Sequence, residues 1–184
     1  GRFRPDSVLA AGTNADLVAL WYPRRAEAER RAVLEELERM TASGGIAAPV
    51  ALPGCQVALS ALHTAGYRLG VATNDSTGGA ERTLLSLGVA QMFEAAYGYD
   101  AVANPKPAPD TIHAFCDLTG LRPAQLAMVG DNRHDLQMAR AGGAGLAVAV
   151  LSGTGTLESL APLADVVLDS IADLPAYLAQ QSAA

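Results

Sequence analysis

The sequence predicts a doubly wound α/β fold in which helices cover both faces of a mostly parallel sheet. From residue 55 onward, short apolar segments rich in Val and Ala alternate with amphipathic segments of helical periodicity. Half of the 184 residues are hydrophobic and 17% are charged, so the chain has enough apolar surface for a buried core. This composition excludes a disordered chain, and no apolar segment reaches the roughly 18 residues that a membrane span needs.

The first 48 residues differ from the rest because they carry much of the charge and show helical periodicity alone. The predicted helices of this region are residues 5–11, 15–22 and 26–40. In the third of them, Val33, Leu37 and Met40 recur at intervals of three to four residues, and Glu and Arg fill the opposite face. Gly and Pro residues after this helix predict a linker. We therefore divide the chain into a helical region, 1–48, and an α/β domain, 49–184.

The α/β domain begins with a helix and then alternates strands with helices to its end. The predicted strands are residues 67–73, 95–99, 125–129, 146–151 and 166–168. The predicted helices are residues 56–65, 79–87, 109–119, 133–141, 156–163 and 171–181. In sheets of this kind, ligands bind beyond the carboxyl ends of the strands. Polar residues that follow the strands are therefore the first candidates for function.

The first predicted strand ends in a run of polar residues, from Thr73 and Asn74 to Ser76. A threonine hydroxyl and free backbone N–H groups at a strand-to-helix turn suit a phosphate oxygen. The same residue types are also favoured as helix N-caps. This segment alone therefore leaves both interpretations open.

A single lysine, Lys106, stands between two prolines in the segment from Asn104 to Asp110. The prolines stiffen the loop, and a third one, Pro109, suits the start of the following helix. A lysine held in this way can neutralise a phosphate group and nearby carboxylates. By itself the pattern also fits a solvated surface lysine on a proline-rich turn.

The third predicted strand ends in Gly130 and Asp131, and a second acid, Asp135, follows four residues later. If a helix begins near Asn132, the two carboxylates lie on one side of its first turn. Two neighbouring carboxylates repel each other unless a cation lies near them, and Mg²⁺ is a hard cation that prefers oxygen ligands. The alternative is an N-cap aspartate with an exposed partner.

Taken together and in this order, the hydroxyl, the lysine and the acidic pair resemble the motifs of the haloacid dehalogenase superfamily. Over residues 50–180 the chain is similar to the phosphoglycolate-phosphatase-like hydrolases that carry a small helical cap. The resemblance implies a Rossmann-like core at 49–184 and part of an inserted helical cap at 1–48. It also implies Mg²⁺ as the cofactor and a small phosphorylated metabolite as the substrate.

The same resemblance implies a role for each of five residues. Thr73 and Asn74 hold the transferring phosphoryl group, and Lys106 neutralises its charge. Asp131 binds Mg²⁺, and Asp135 supports either the metal site or the lysine, so both are candidate metal ligands. Thr73, Lys106 and Asp131 are the candidate catalytic residues. The implied reaction is attack by an aspartate on phosphorus to give an aspartyl-phosphate, which water then hydrolyses.

The sequence departs from this family at the first motif, Asp-x-Asp-Gly-Thr, which carries the nucleophile and the acid/base. No Asp-x-Asp occurs among the 184 residues. We therefore expect that a first central strand and part of the cap lie outside this sequence, and that these residues alone do not turn over substrate. Arg2 and Arg4 in the cap are candidate contacts for a substrate carboxylate or phosphate.

Other functions are also compatible with parts of the pattern. A sugar-phosphate mutase and a dehalogenase share the implied fold, and a non-catalytic phosphate-binding relative is compatible with the missing motif. A phospho-receiver domain fits less well, because its acids precede its Thr and Lys.

The net charge of −6 argues against nucleic acid as a partner. Cys55 and Cys116 match no metal or redox spacing, which favours a reducing, cytoplasmic compartment. No feature specifies an oligomeric state.

Overall fold

The computed structural model describes residues 7–42 and 49–182. Arg2 and Arg4, the two candidate substrate contacts of the helical region, lie outside these ranges. The α-helices are α1 (Val8–Ala11), α2 (Asn14–Trp21), α3 (Glu27–Ala42), α4 (Cys55–Thr64), α5 (Thr77–Ser86), α6 (Asp110–Thr119), α7 (Arg133–Gly142), α8 (Leu157–Leu160) and α9 (Leu174–Ser182). The strands are β1 (Leu69–Ala72), β2 (Phe93–Tyr97), β3 (Ala127–Gly130), β4 (Leu146–Val150) and β5 (Val166–Leu168). Short 3₁₀ turns lie at Ala90–Met92, Pro123–Gln125 and Ile171–Asp173.

Helices α1 to α3 correspond to the three predicted helices of the N-terminal region. Helix α2 begins with a reciprocal cap, in which Thr13 Oγ1 accepts from the N–H of Asp16 at 3.1 Å and Asp16 Oδ2 accepts from the N–H of Thr13 at 2.8 Å. Its Val18 is buried, whereas α3 is a charged helix of 16 residues. Among the described residues, no helix combines the length and the apolar character needed to cross a bilayer.

The five strands pair in parallel, as the alternation of strands and helices predicts. Strand β1 pairs with β2, and β4 lies between β3 and β5, so the strands form a two-stranded and a three-stranded sheet. Within the described part of the chain, no strand pairs with β1 on the side opposite β2 or with β3 on the side opposite β4. The segments that follow β1 and β3 carry four of the five candidate site residues, and Lys106 lies in the loop that follows β2.

Strand β4 is the centre of the core because helices cover both of its faces. On one face its buried alanines contact α7 and α8, and the cluster is formed by Leu136, Ala139, Ala147, Ala149 and Leu160. On the other face the strand contacts α4 and α9, and the cluster is formed by Leu62, Val148 and Leu174. Burial on both faces explains why Leu146–Val150 is apolar at every position instead of alternating. This layering is the doubly wound arrangement that the sequence predicts.

Two C-terminal helices differ from their predicted bounds, and proline accounts for both differences. Helix α8 ends at Leu160 instead of residue 163, because Pro162 has no N–H to continue the helical hydrogen bonds. The segment predicted as one helix from residue 171 starts as a 3₁₀ turn, and α9 follows with Pro175 in its first turn. A helix tolerates proline there because the first N–H groups have no partner within the helix.

Strand β2 lies at Phe93–Tyr97, two residues before its predicted position at 95–99. Its register with β1 explains the shift, because Phe93 is opposite Leu69 and Tyr97 is opposite Ala72. The two strands therefore end together. This common end places the loop that follows β2 beside the polar residues that follow β1.

Candidate active site

The carboxyl ends of β1 and β3 border a cavity of about 250 Å³. The five residues predicted to form the site all line it, although they come from three distant segments: Thr73, Asn74, Lys106, Asp131 and Asp135. Parallel pairing brings the loop after β2 to the carboxyl end of β1. Lys106 in that loop then links the end of β1 to α7, because it donates to the Ala72 carbonyl and to Asp135. The cavity also touches Ala11, the last residue of helix α1, and Gly12, which follows it.

Thr73 and Asn74 continue β1 into the cavity. The Thr73 N–H donates to the Tyr97 carbonyl at 2.9 Å, and its Oγ1 accepts from the N–H of Asp75 at 3.0 Å. The hydroxyl is therefore oriented while its own proton can still be donated. Asn74 Nδ2 donates to the Ala11 carbonyl at 2.7 Å, and Asn74 Oδ1 is buried without a partner among the described residues. Asn74 thus fastens the helical region to the strand end.

The loop that carries Lys106 is closed by hydrogen bonds as well as by prolines. Both the backbone N–H and the side-chain amide of Asn104 donate to Asp110 Oδ1 at 3.0 Å, and Ala108 N–H donates to the Pro105 carbonyl at 3.0 Å. Helix α6 then begins at Asp110. The interpretation of Lys106 as a solvated surface residue is wrong, since only 13% of its side chain is exposed.

Lys106 forms a buried ion pair with Asp135. Its Nζ donates to Asp135 Oδ1 at 2.6 Å and to the Ala72 carbonyl at 3.0 Å, and the Asp135 side chain is 7% exposed. An ammonium group has three N–H donors, so one is left after these two hydrogen bonds. Asp135 Oδ2 accepts from the N–H of Asn132 at 3.1 Å in the cap of α7. Both oxygens of Asp135 therefore have partners.

Hydrogen bonds from the described residues reach only one of the two oxygens of Asp131. Its Oδ2 accepts from the N–H of Thr154 at 2.7 Å and from Thr154 Oγ1 at 3.1 Å. Within residues 7–42 and 49–182, no group donates a hydrogen bond to Asp131 Oδ1. A carboxylate oxygen that lines a cavity and has no donor can bind a cation.

Three further residues line the cavity that sequence reasoning missed: Asp75, Asn132 and His134. Asn132 is 7% exposed, and its Oδ1 accepts from the N–H of His134 at 3.1 Å, which leaves Nδ2 as a buried donor without a described partner. His134 Nδ1 is also buried and unpartnered among the described residues. Asn132 lies between Asp131 and Asp135, where the sequence predicted only the start of a helix. The structure shows in addition that its Nδ2 has no partner among the described residues.

The described residues fit Mg²⁺ as part of its ligand set. They contain no group of three or more His, Cys, Asp or Glu side chains that could hold a metal by themselves. Mg²⁺ usually keeps several waters and takes one or two carboxylates together with a substrate phosphate. Asp131 Oδ1 meets this requirement, whereas Asp135 is the poorer candidate because its oxygens already accept two hydrogen bonds.

A family model for haloacid dehalogenase-like hydrolases matches residues 25–149 of the chain. The chain belongs to this family. It is 36% identical over 126 residues to a phosphoglycolate phosphatase of Salmonella typhimurium, with 68% of this chain and 50% of that protein covered. It is 39% identical over 127 residues to a phosphoglycolate phosphatase of Rhodospirillum rubrum, with 68% and 52% covered. The chain thus spans about half the length of the curated relatives that it matches.

Solved structures of other proteins show the same fold. The crystal structure of a predicted phosphoglycolate phosphatase from Haemophilus somnus 129PT has a TM-score of 0.75 at 23% sequence identity, and the match covers 89% of this chain and 73% of that one. A β-phosphoglucomutase from Clostridium difficile has a TM-score of 0.76 at 19% identity, with 92% and 76% covered. The predicted α/β, Rossmann-like fold class is therefore confirmed.

Proposed function

We propose that the native protein hydrolyses a small phosphomonoester in a Mg²⁺-dependent reaction, with phosphoglycolate as the first candidate substrate. The observation that carries the proposal is the meeting of a hydroxyl, an ammonium and an unsatisfied carboxylate oxygen in one cavity. Phosphoryl transfer requires this combination, because the protein must both grip the anionic oxygens and neutralise their charge. The relatives named phosphoglycolate phosphatase support the choice of substrate.

In this proposal the phosphoryl group is held by side chains that still have a donor to offer. Thr73 offers its hydroxyl proton, Lys106 offers its remaining N–H, and Asn132 offers Nδ2. Asn74 can add the second hydrogen of its amide, since the first is bonded to Ala11. Donors that are held in place before the substrate arrives stabilise developing charge without reorganising.

Asp131 would hold Mg²⁺, with Asp135 serving mainly to fix the ammonium of Lys106. When bound, Mg²⁺ supplies a Lewis acid that neutralises charge on the phosphoryl oxygens. The Lys106–Asp135 pair keeps the cation in one position, because a buried lysine with two fixed acceptors has lost most of its rotamer freedom. We also propose that the helical region, which reaches the cavity at Ala11 and Gly12, covers the substrate and excludes water.

The family resemblance implies an aspartyl-phosphate intermediate, and we adopt it for the native protein. The motif that provides the nucleophile, Asp-x-Asp, does not occur in these 184 residues. For these residues alone we therefore propose phosphate binding without turnover.

Both cysteines are free, as is usual in a reducing compartment, and we propose a cytoplasmic location.

The test is a screen of small phosphomonoesters with the native protein in the presence and absence of Mg²⁺. We expect Mg²⁺-dependent release of phosphate, loss of that activity in Asp131→Ala, and its retention in Asp165→Ala, which removes a carboxylate at the far end of the sheet. Turnover that is unchanged in Asp131→Ala would remove the metal assignment. Binding of orthovanadate without hydrolysis of any ester would favour a non-catalytic relative.

A further inference from the structure

The loop between β4 and α8 wraps around Asp131. Thr154 donates to Asp131 Oδ2 through both its N–H and its Oγ1, and the N–H of Gly155 donates to the Asp131 carbonyl at 2.9 Å. A methyl group at Gly153 would overlap Asp131 Oδ2, so the loop approaches the carboxylate as closely as a residue without a side chain allows. One short loop thus holds both the backbone and the side chain of this aspartate.

The consequence is that the two oxygens of Asp131 are not equivalent. A carboxylate oxygen accepts about two hydrogen bonds, and Thr154 supplies two to Oδ2. No described residue donates to Oδ1. Rotation of the carboxylate would break both hydrogen bonds from Thr154, so the side chain is fixed with Oδ1 as the oxygen that a cation can use.

We propose that Thr154 is a positioning residue that fixes the carboxylate of Asp131 for Mg²⁺. This inference rests on the proposed function, since it takes Asp131 as a metal ligand. Groups that orient a metal ligand without touching the metal commonly change metal affinity by about 10- to 100-fold when they are removed. The Thr154 hydroxyl has this place in the structure, and its backbone N–H adds a second hydrogen bond that no side-chain substitution removes.

The test compares variants of the native protein by titration with Mn²⁺, followed by electron paramagnetic resonance. Thr154→Val keeps the shape of the side chain and loses the hydroxyl, so we expect the Kd for Mn²⁺ to rise by about tenfold. Thr154→Ser keeps the hydroxyl and should stay within about twofold of the native Kd. The Mg²⁺ concentration that gives half-maximal phosphate release should rise in Thr154→Val, while kcat at saturating Mg²⁺ changes little.

Thr156→Val is the matched control in the same loop. Thr156 caps α8 by accepting from the N–H of Ser159, and no hydrogen bond joins it to Asp131. We expect Thr156→Val to lower the melting temperature and leave the Kd for Mn²⁺ unchanged. If Thr154→Val does not fold, Thr154→Ala removes the same hydroxyl without added bulk and should give the same tenfold change.

The outcomes separate this inference from the function on which it rests. A native Kd in Thr154→Val, together with lost binding in Asp131→Asn, would overturn the role of Thr154 and leave the metal assignment intact. If Asp131→Asn binds Mn²⁺ with the native Kd, both the role of Thr154 and the metal assignment would be overturned. A lower melting temperature in Thr154→Val with an unchanged Kd would show a structural role only, and would also contradict the inference.

Discussion

Asp165 and Asp131 lie at opposite ends of the three-stranded sheet and have the same side chain in different surroundings. At the amino end, Asp165 Oδ1 accepts from Arg140 at 2.7 Å, and Oδ2 accepts from the same guanidinium at 3.1 Å and from the N–H of Ala147 at 2.8 Å. At the carboxyl end, Asp131 has donors on Oδ2 and none from the described residues on Oδ1.

The difference extends beyond the two carboxylates. Arg140 also donates to the Leu163 carbonyl at 3.0 Å, so the amino end forms a closed network that joins α7 to the start of β4 and β5. At the carboxyl end, Asn132 Nδ2 and His134 Nδ1 are buried without described partners. Buried polar groups in native proteins normally have partners, so unsatisfied ones need an explanation. We explain them as groups that a ligand satisfies, whereas the amino end stabilises the fold.

The largest effect should come from Asp131→Asn. The substitution keeps the shape of the side chain and removes the charge that we assign to Mg²⁺, so phosphate release by the native protein should fall by about 1,000-fold. The melting temperature should change little. A steady-state assay at saturating Mg²⁺ measures this, and activity within about threefold of native would contradict the assignment.

Lys106→Met should have the largest effect on stability. It leaves the buried carboxylate of Asp135 without its cation, which costs about 3 kcal/mol in the free energy of unfolding. The double variant Lys106→Met with Asp135→Leu should recover much of this loss, because it removes the unpaired charge as well. Urea denaturation at pH 7 measures both values. If the single and double variants have the same free energy of unfolding, the unpaired charge of Asp135 does not account for the loss of stability.

Asn132→Asp should remove the free donor of the asparagine amide and keep the oxygen that caps α7. Because it also places a third carboxylate beside Asp131 and Asp135 at a buried position, the melting temperature should fall as well. The lost donor and the added charge should weaken orthovanadate binding by about tenfold. Calorimetric titration measures the affinity, and an unchanged Kd would exclude Asn132 from the phosphate site.

Asp165→Asn should have a smaller effect, confined to stability. Hydrogen bonds from Arg140, followed by the N–H of Ala147, hold the pKa of Asp165 below its usual value. Because the folded-state pKa is the lower one, the stabilisation is present above the unfolded value of about 3.9 and is lost as the pH falls through the folded pKa. Native and variant melting temperatures should differ at pH 7 and converge in acid, while phosphate release stays native. A difference that grows in acid would contradict this.

The sequence predicted the parts of the fold that local pattern determines. Strand β4 was recognisable because burial on both faces requires an uninterrupted apolar run, and α7 because Asn132 and Gly143 are typical cap residues at its two ends. The five site residues were predicted because their residue types follow predicted strands and together resemble the motifs of the haloacid dehalogenase superfamily, whereas each segment alone left two interpretations open. The structure brings all five into one cavity, and their individual roles stay predictions.

Other features depend on contacts between distant segments, which no local pattern reports. The division of the strands into two sheets depends on which strands pair with each other. The hydrogen bond from Asn74 to the Ala11 carbonyl, which joins the core to the helical region, likewise depends on residues far apart in the sequence. Thr154 was missed because its loop has no motif of its own, and its importance comes only from its distance to Asp131. The sequence also did not predict whether Lys106 is exposed or buried, because its burial depends on the contact with Asp135.

The most direct measurement is a crystal structure of the native protein with Mn²⁺ and orthovanadate. We expect an anomalous peak for Mn²⁺ within bonding distance of Asp131, with the vanadate between Thr73 and Lys106. Mn²⁺ bound elsewhere, or vanadate bound outside the cavity at the ends of β1 and β3, would contradict it.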